Sequence, residues 1–274
     1  MATSLTVTPL GSSFGARVLG ADLRSAPSDE SADEIKALLD EHLVLVFPGQ
    51  FLDDTQHLAF ALAFGRPYIH PAARVMGRTE ARVEHIVDSV DQPPYQDRWH
   101  TDVSWDVEPP TYGTLRACEI PPRGGDTIWV DMRAAHDALS PLMQRLIADL
   151  EAWHDMGAGR SFAGKAGEDV ALRMRELYPG ATHPVVDVHT GSSRRYLNVN
   201  KEFTRRILGM TPDESEGVLR VLVDHAANPN FQMRHSWTLG DLVIWDERCT
   251  QHFAVADYLP ARREMARAAV RAAS

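Results

Sequence analysis

His100 and Asp102 stand two residues apart in WHTDVSW, between Trp99 and Trp105, and that spacing permits metal chemistry. In an extended strand alternate side chains share a face, so this imidazole and carboxylate would project together while Thr101 points away. Such a pair can offer one nitrogen and one oxygen to a single cation, although polar alternation on a solvated strand produces the same triplet. A metal site needs a third ligand. Among the 12 histidines the best placed is His252, in WDERCTQHFAVADY, directly after the apolar run DLVIWD. A jelly roll can close the long separation from His100 because its first and last strands lie side by side. Two histidines and one carboxylate leave coordination positions open, an arrangement suited to non-haem Fe(II) and oxygen activation. Zinc is the rival metal.

The segment ARREMARAAV bears on that choice. As a strand it would turn Arg263, Met265 and Arg267 to one face and Arg262 and Glu264 to the other. A guanidinium held inside a barrel needs an anion, and its fork matches a carboxylate in two parallel bonds. A basic strand exposed to water is the alternative, and spacing alone leaves both open.

The elements that must position these residues are short strands interspersed with a few helices. SADEIKALLDEH has helical apolar spacing and runs into LVLVFP, a buried strand; DDTQHLAFALAFG is a second helix closed by Gly65. EHIVDS, TYGTLRACEI and GDTIWVD read as strands, interrupted by the turn IPPRGG. Ser140-Pro141 starts one further helix, and Thr211-Pro212 with Glu214 in a capping box starts another. FQMRHSW, DLVIWD, QHFAVAD and RREMARAAV close the chain as strands. The pattern predicts a mainly β fold, a jelly roll or barrel with flanking helices, in a single domain over residues 1–274.

Composition narrows the function. The 274 residues are 44% hydrophobic and 24% charged, as in globular proteins, and the net charge of −10 disfavours nucleic acid and anionic membranes as partners. Only Cys118 and Cys249 occur, and neither a secretory leader nor a long apolar span is evident, so a cytoplasmic protein with reduced thiols is expected.

Together, WHTD, GGDT, WDERCTQH and DYLPARREMAR resemble the motifs of the taurine dioxygenase and 2,4-dichlorophenoxyacetate dioxygenase family. Its members are Fe(II)- and 2-oxoglutarate-dependent oxygenases with a double-stranded β-helix core. The resemblance implies His100, Asp102 and His252 as iron ligands. It implies Thr127 and Arg263, eleven residues after His252, as partners of the far carboxylate of 2-oxoglutarate. The substrate motifs are nearest to taurine dioxygenase: IHP matches at His70, RSF at Ser161 and Phe162, NKEF at Phe203, and the closing strand at Arg267, which would hold the substrate's anion. Three positions depart from the pattern. Ala73 replaces a tyrosine, Gln96 replaces an asparagine and Glu247 replaces the asparagine of WDN.

The expected reaction consumes O2 and 2-oxoglutarate and hydroxylates a small anionic substrate, taurine or a related alkylsulfonate. It would release sulfite and an aldehyde with succinate and CO2. An alkyl sulfate ester or a carboxylate is the alternative substrate, and Ala73 is read as making room for a longer tail. A zinc hydrolase and an inactive anion-binding barrel are the readings from other classes, and a homo-oligomer is expected. Cys249, Asp126, Asp257 and Tyr258 are read as structural, and His183 and His189 as polar ends of the strand between them.

Overall fold

The computed structural model describes residues 5–11, 14–157 and 167–272. Its largest sheet orders the strands Thr6–Pro9, Ala16–Leu19, Val44–Phe47, Leu242–Asp246, Tyr112–Glu119, Arg263–Arg271 and Arg66–Pro67, with Glu84–Asp88 also paired to Arg263–Arg271. All these pairs are antiparallel except Ala16–Leu19 with Val44–Phe47. A smaller sheet runs Gln232–His235, Thr127–Asp131, Thr250–Ala254.

The strand VLVF shows how sequence sets the layers. Every residue in it is buried: Val44 and Val46 enter the core shared with the small sheet, whereas Leu45 and Phe47 enter the core under helices Asp29–His42 and Asp54–Leu62. A strand covered on both faces reads as an uninterrupted apolar run. Trp129 of the small sheet and Trp245 of the large one meet at 5.8 Å between ring centroids, and both are essentially inaccessible to water. Removing either indole would cost about 3–5 kcal/mol.

Two helix starts are those the sequence predicts, whereas Asp29–His42 begins ahead of Ser31 under a Ser28 cap, and the helices Pro71–Val75, Met132–Asp137 and Glu168–Leu177 are additional to the sequence reading. Thr211 and Glu214 form a capping box on Pro212–Ala226, and Ser140 caps Pro141–Ile147. Asp53 with Gln56 forms a second capping box on Asp54–Leu62. Among the described residues no helix is long and apolar enough to cross a membrane.

One local expectation fails. His100 and Asp102 do not share the face of an extended strand. His100 makes an isolated antiparallel bridge with His252, and the chain then turns, with Val103 at φ 54°. The Asp102 N–H therefore has no ladder partner and donates instead to Glu247 Oε2 at 3.3 Å.

Candidate active site

The small sheet supplies His252 and Thr127 from adjacent strands, and the large sheet supplies Arg263 and Arg267 from its strand Arg263–Arg271. His100 is brought in by backbone: its N–H donates to His252 O at 3.2 Å, and its carbonyl oxygen accepts from His252 N–H at 2.8 Å. This bridge sets the two imidazole centroids 4.2 Å apart.

His100 Nδ1 lies 2.7 Å from Arg98 O. A carbonyl only accepts, so the proton sits on Nδ1 and the buried Nε2, which has no hydrogen-bond partner among the described residues, presents its lone pair. Asp102 Oδ1 is 3.4 Å from that Nε2 and 4.0 Å from His252 Nε2, while Asp102 Oδ2 accepts from Arg267 Nη2. One donor atom from each of the three residues thus converges on a common point, and all three residues are buried. This is a donor set that fits a divalent cation with room for further ligands.

The charges agree. Burial alone would raise the Asp102 pKa, but Arg267, His252 and His100 outweigh it and hold the carboxyl well below its usual range. Burial, reinforced by His100 and Arg267, lowers His252 to about 3 and keeps it neutral, as a ligand must be.

A cavity of about 580 Å³ runs from Asp102 and His252 past Trp129, Leu115 and Met265 to Thr127 and Arg263, and Arg267 also lines it. Arg263 is deeply buried. Its Nε donates to Gly125 O at 3.1 Å, its Nη1 is 4.0 Å from Asp88, and its Nη2 has no partner among the described residues. Tyr258 lies 5.8 Å beneath the guanidinium and donates to Asp88 Oδ2 at 2.8 Å. Gly125 has φ 74°, and a side chain there would press on Arg263 Cδ at 3.1 Å, so glycine serves both the turn and the approach. Thr127 Oγ1 accepts from Trp237 Nε1 at 3.0 Å, which leaves the hydroxyl proton to donate elsewhere.

Arg267 stands in a different setting. Burial would lower its pKa, but Asp102, Glu247 and Glu84 raise it. His70 lies in the same electrostatic group and lines, with Arg267, a smaller cavity of about 280 Å³. Its Nδ1 accepts from Ala72 N–H at 3.1 Å, so Nε2 carries the proton, and burial with Arg267 lowers its pKa to about 4.

Gln96 lines the main cavity, and Phe203 sets its ring edge-on to His100 at 6.3 Å. Ser161 and Phe162 lie outside the described residues. Ala73 departs from its expected place: it is buried in the short helix Pro71–Val75 and is not part of the cavity wall, because the chain after His70 coils as a helix.

Sequence reasoning missed Tyr95, which lines the cavity beside Gln96. It also missed the role of Glu247, whose carboxyl group, with its pKa pushed well up by burial and by Asp102, takes the Asp102 N–H on Oε2 and fits because Gly113 has no side chain; a Cβ there would lie 2.7 Å from Glu247 Oε1. His189 is more than a strand end. It is fully buried, with Nε2 3.0 Å from Asp246 Oδ2.

Over residues 6–269 the sequence matches the family described as taurine catabolism dioxygenase TauD, TfdA family. It is 34% identical over 281 residues to the alpha-ketoglutarate-dependent 2,4-dichlorophenoxyacetate dioxygenase of Cupriavidus pinatubonensis, covering 97% of each chain. It is 32% identical to the alpha-ketoglutarate-dependent sulfate ester dioxygenase of Pseudomonas putida, covering 94% of this chain and 86% of that one. The fold superposes on the crystal structure of AAD-2 in complex with Mn(II) and N-oxalylglycine with a TM-score of 0.82 at 29% identity, covering 99% and 98% of the two chains.

Proposed function

The chain belongs to the TauD, TfdA family and is an Fe(II)- and 2-oxoglutarate-dependent dioxygenase, and from that premise we propose that its substrate is a small alkyl sulfonate or sulfate ester. The proposal assigns the metal to His100, Asp102 and His252 within a single double-stranded β-helix domain. The observation that carries it is the pair of inward arginines on one strand, both lining the cavity that contains Asp102 and His252.

Bound iron, with 2-oxoglutarate and O2, supplies the oxidising power that replaces a C–H bond of the substrate by C–OH, with succinate and CO2 as coproducts. The residues do the rest. Arg263 pairs through its unpartnered Nη2 with the far carboxylate of 2-oxoglutarate, and Thr127 donates its free hydroxyl proton to the same group. The walls Ile86, Leu115, Trp129 and Met265 keep water from the carbon chain between them. Arg267 holds Asp102 Oδ2 so that Oδ1 faces the imidazoles. The same guanidinium and the Nε2–H of His70 receive the substrate's anionic head. For a sulfonate, hydroxylation at the adjoining carbon gives an adduct that collapses to sulfite and an aldehyde.

A zinc hydrolase would leave Arg263 a buried cation without an anion, an arrangement strongly disfavoured in a dry site. The deciding experiment measures succinate release against ethane-, butane- and hexanesulfonate, alkyl sulfates and aryloxyacetates. Turnover with the sulfonates or sulfates above the aryloxyacetates supports the reading, and the reverse order overturns it in favour of a carboxylate substrate.

A further inference from the structure

The outer face of the strand Arg263–Arg271 carries a second set of ligand-type side chains that the dioxygenase reaction does not use. Glu264 points away from the cavity, and His85, on the neighbouring strand Glu84–Asp88, stands opposite Ala266. On the other side, Glu264 pairs with Glu119 and Met265 with Ala117, so Cys118 is the extra residue of a β-bulge. Bulges re-aim side chains, and here one donor atom each from His85, Cys118 and Glu264 lies within 4.8 Å of the other two.

The hydrogen bonds around His85 are those of a metal-ligating histidine with a proton in place of the metal. Nε2 lies 2.9 Å from Asp54 Oδ2, and Nδ1 lies 2.6 Å from Glu264 Oε1. Each carboxylate is oriented from behind by an arginine on its second oxygen, Asp54 Oδ1 by Arg116 and Glu264 Oε2 by Arg262. The atoms facing His85 are therefore free of those guanidiniums. A histidine that binds a metal through one nitrogen commonly donates the other N–H to a carboxylate, which fixes the ring.

We propose that His85 Nδ1, Glu264 Oε1 and Cys118 Sγ form an outer transition-metal site of zinc type, with Asp54 orienting the imidazole and a water completing the coordination. One nitrogen, one sulfur and one oxygen ligand suit Zn(II) better than Fe(II). Two protons leave on binding, one from His85 Nδ1 and one from the Cys118 thiol, and the Nδ1 to Oε1 separation opens to roughly 3.2 Å to span a tetrahedral cation. The hydrogen bond to Asp54 raises the His85 pKa, burial opposes it and Glu264 adds to the rise, while burial raises the Cys118 thiol, so a metal must displace both protons and its binding strengthens as pH rises. The site does not depend on the substrate assignment. It ties the first turn of the helix Asp54–Leu62 to three strands, one of which bears Arg263 and Arg267 on its reverse side.

Co(II) added to the full chain is the probe, read by the near-ultraviolet charge-transfer absorption that a thiolate gives when it ligates cobalt. The His100, Asp102 and His252 set contains no sulfur and cannot produce that band. The wild type, Asp102→Ala and Cys249→Ser should show it, Cys118→Ser and His85→Ala should lack it, and Zn(II) in excess of both metal sites should remove it. No band in the wild type, or a band that persists in Cys118→Ser, overturns the proposal. A second measurement uses the unaltered protein: Zn(II) should slow alkylation of Cys118 by iodoacetamide about tenfold or more, because the ligated thiolate is no longer a free nucleophile. An unchanged rate also overturns it.

Discussion

Arg263 and Arg267 leave the same face of the same strand, yet one is surrounded almost entirely by neutral partners and the other by acids. Arg263 has a carbonyl, an aromatic face, one distant carboxylate and an unpartnered nitrogen. Arg267 is bonded to Asp102 and lies in the field of Glu247 and Glu84. The first is a cation waiting for one fixed anion, and binding that anion replaces nothing. The second is already paired with Asp102, so on the proposed assignment an incoming head group would share Arg267 with that carboxylate. A shared cosubstrate suits the first arrangement, and a substrate that differs between relatives suits the second.

The largest expected effect comes from the three residues that both ends share. His100→Ala, Asp102→Ala and His252→Ala should each abolish turnover and also the visible metal-to-ligand charge-transfer band of Fe(II) and 2-oxoglutarate under anaerobic conditions. A full-strength band in any of the three would remove that residue from the proposed ligand set.

Next in size is the contrast between the arginines. Arg263→Ala should weaken 2-oxoglutarate by about 2–5 kcal/mol, roughly 30- to 5,000-fold, since a charge-assisted pair is lost in a buried site. Arg267→Ala should leave the band intact at saturating iron and 2-oxoglutarate. It should raise the substrate KM by about one to two orders of magnitude and uncouple succinate formation from substrate oxidation, because the pair it removes is partly offset by loss of the competing Asp102 contact. Equal losses of 2-oxoglutarate affinity in both variants would erase the distinction. A smaller effect tests the neutral end alone: Trp237→Phe removes the N–H that orients Thr127 and should weaken 2-oxoglutarate by about 0.5–1.5 kcal/mol, or two- to tenfold, without changing substrate KM.

The legible and illegible parts of the molecule divide along similar lines. Helix starts such as Thr211 to Glu214 and buried strands such as VLVF depend on neighbours in sequence, and they form where the sequence predicts. The motifs carried by the family resemblance, His100, Asp102, Thr127, His252, Arg263 and Arg267, also converge on one region. What escaped depends on tertiary contact. Asp102 lies where the chain turns out of the extended conformation, and its N–H is taken up by Glu247, far away in sequence. Glu247 fits only because Gly113, on another strand, lacks a side chain. His189, read from the sequence as a polar strand end, is buried against Asp246 and Ser192.

The smallest effect concerns Ala73, and it asks whether the substrate end extends past His70. A tyrosine replaced by alanine suggests space for a longer tail, worth about 0.8 kcal/mol per methylene if the tail were buried there. The structure instead puts Ala73 inside the helix Pro71–Val75, with its N–H donating to His70 O at 2.9 Å and its carbonyl accepting from Arg78 N–H at 2.9 Å. The residue is 3% exposed and is not among those that line the cavity. Ala73→Tyr should therefore act as overpacking, with a loss of about 1–3 kcal/mol of stability and a fall of several degrees in Tm. The ratio of kcat/KM for hexanesulfonate over ethanesulfonate should stay within about twofold of the wild type, less than the effect of one methylene. A reversal of that ratio at unchanged Tm would place Ala73 in the substrate pocket, and the substrate end would then extend past His70 into the helix Pro71–Val75.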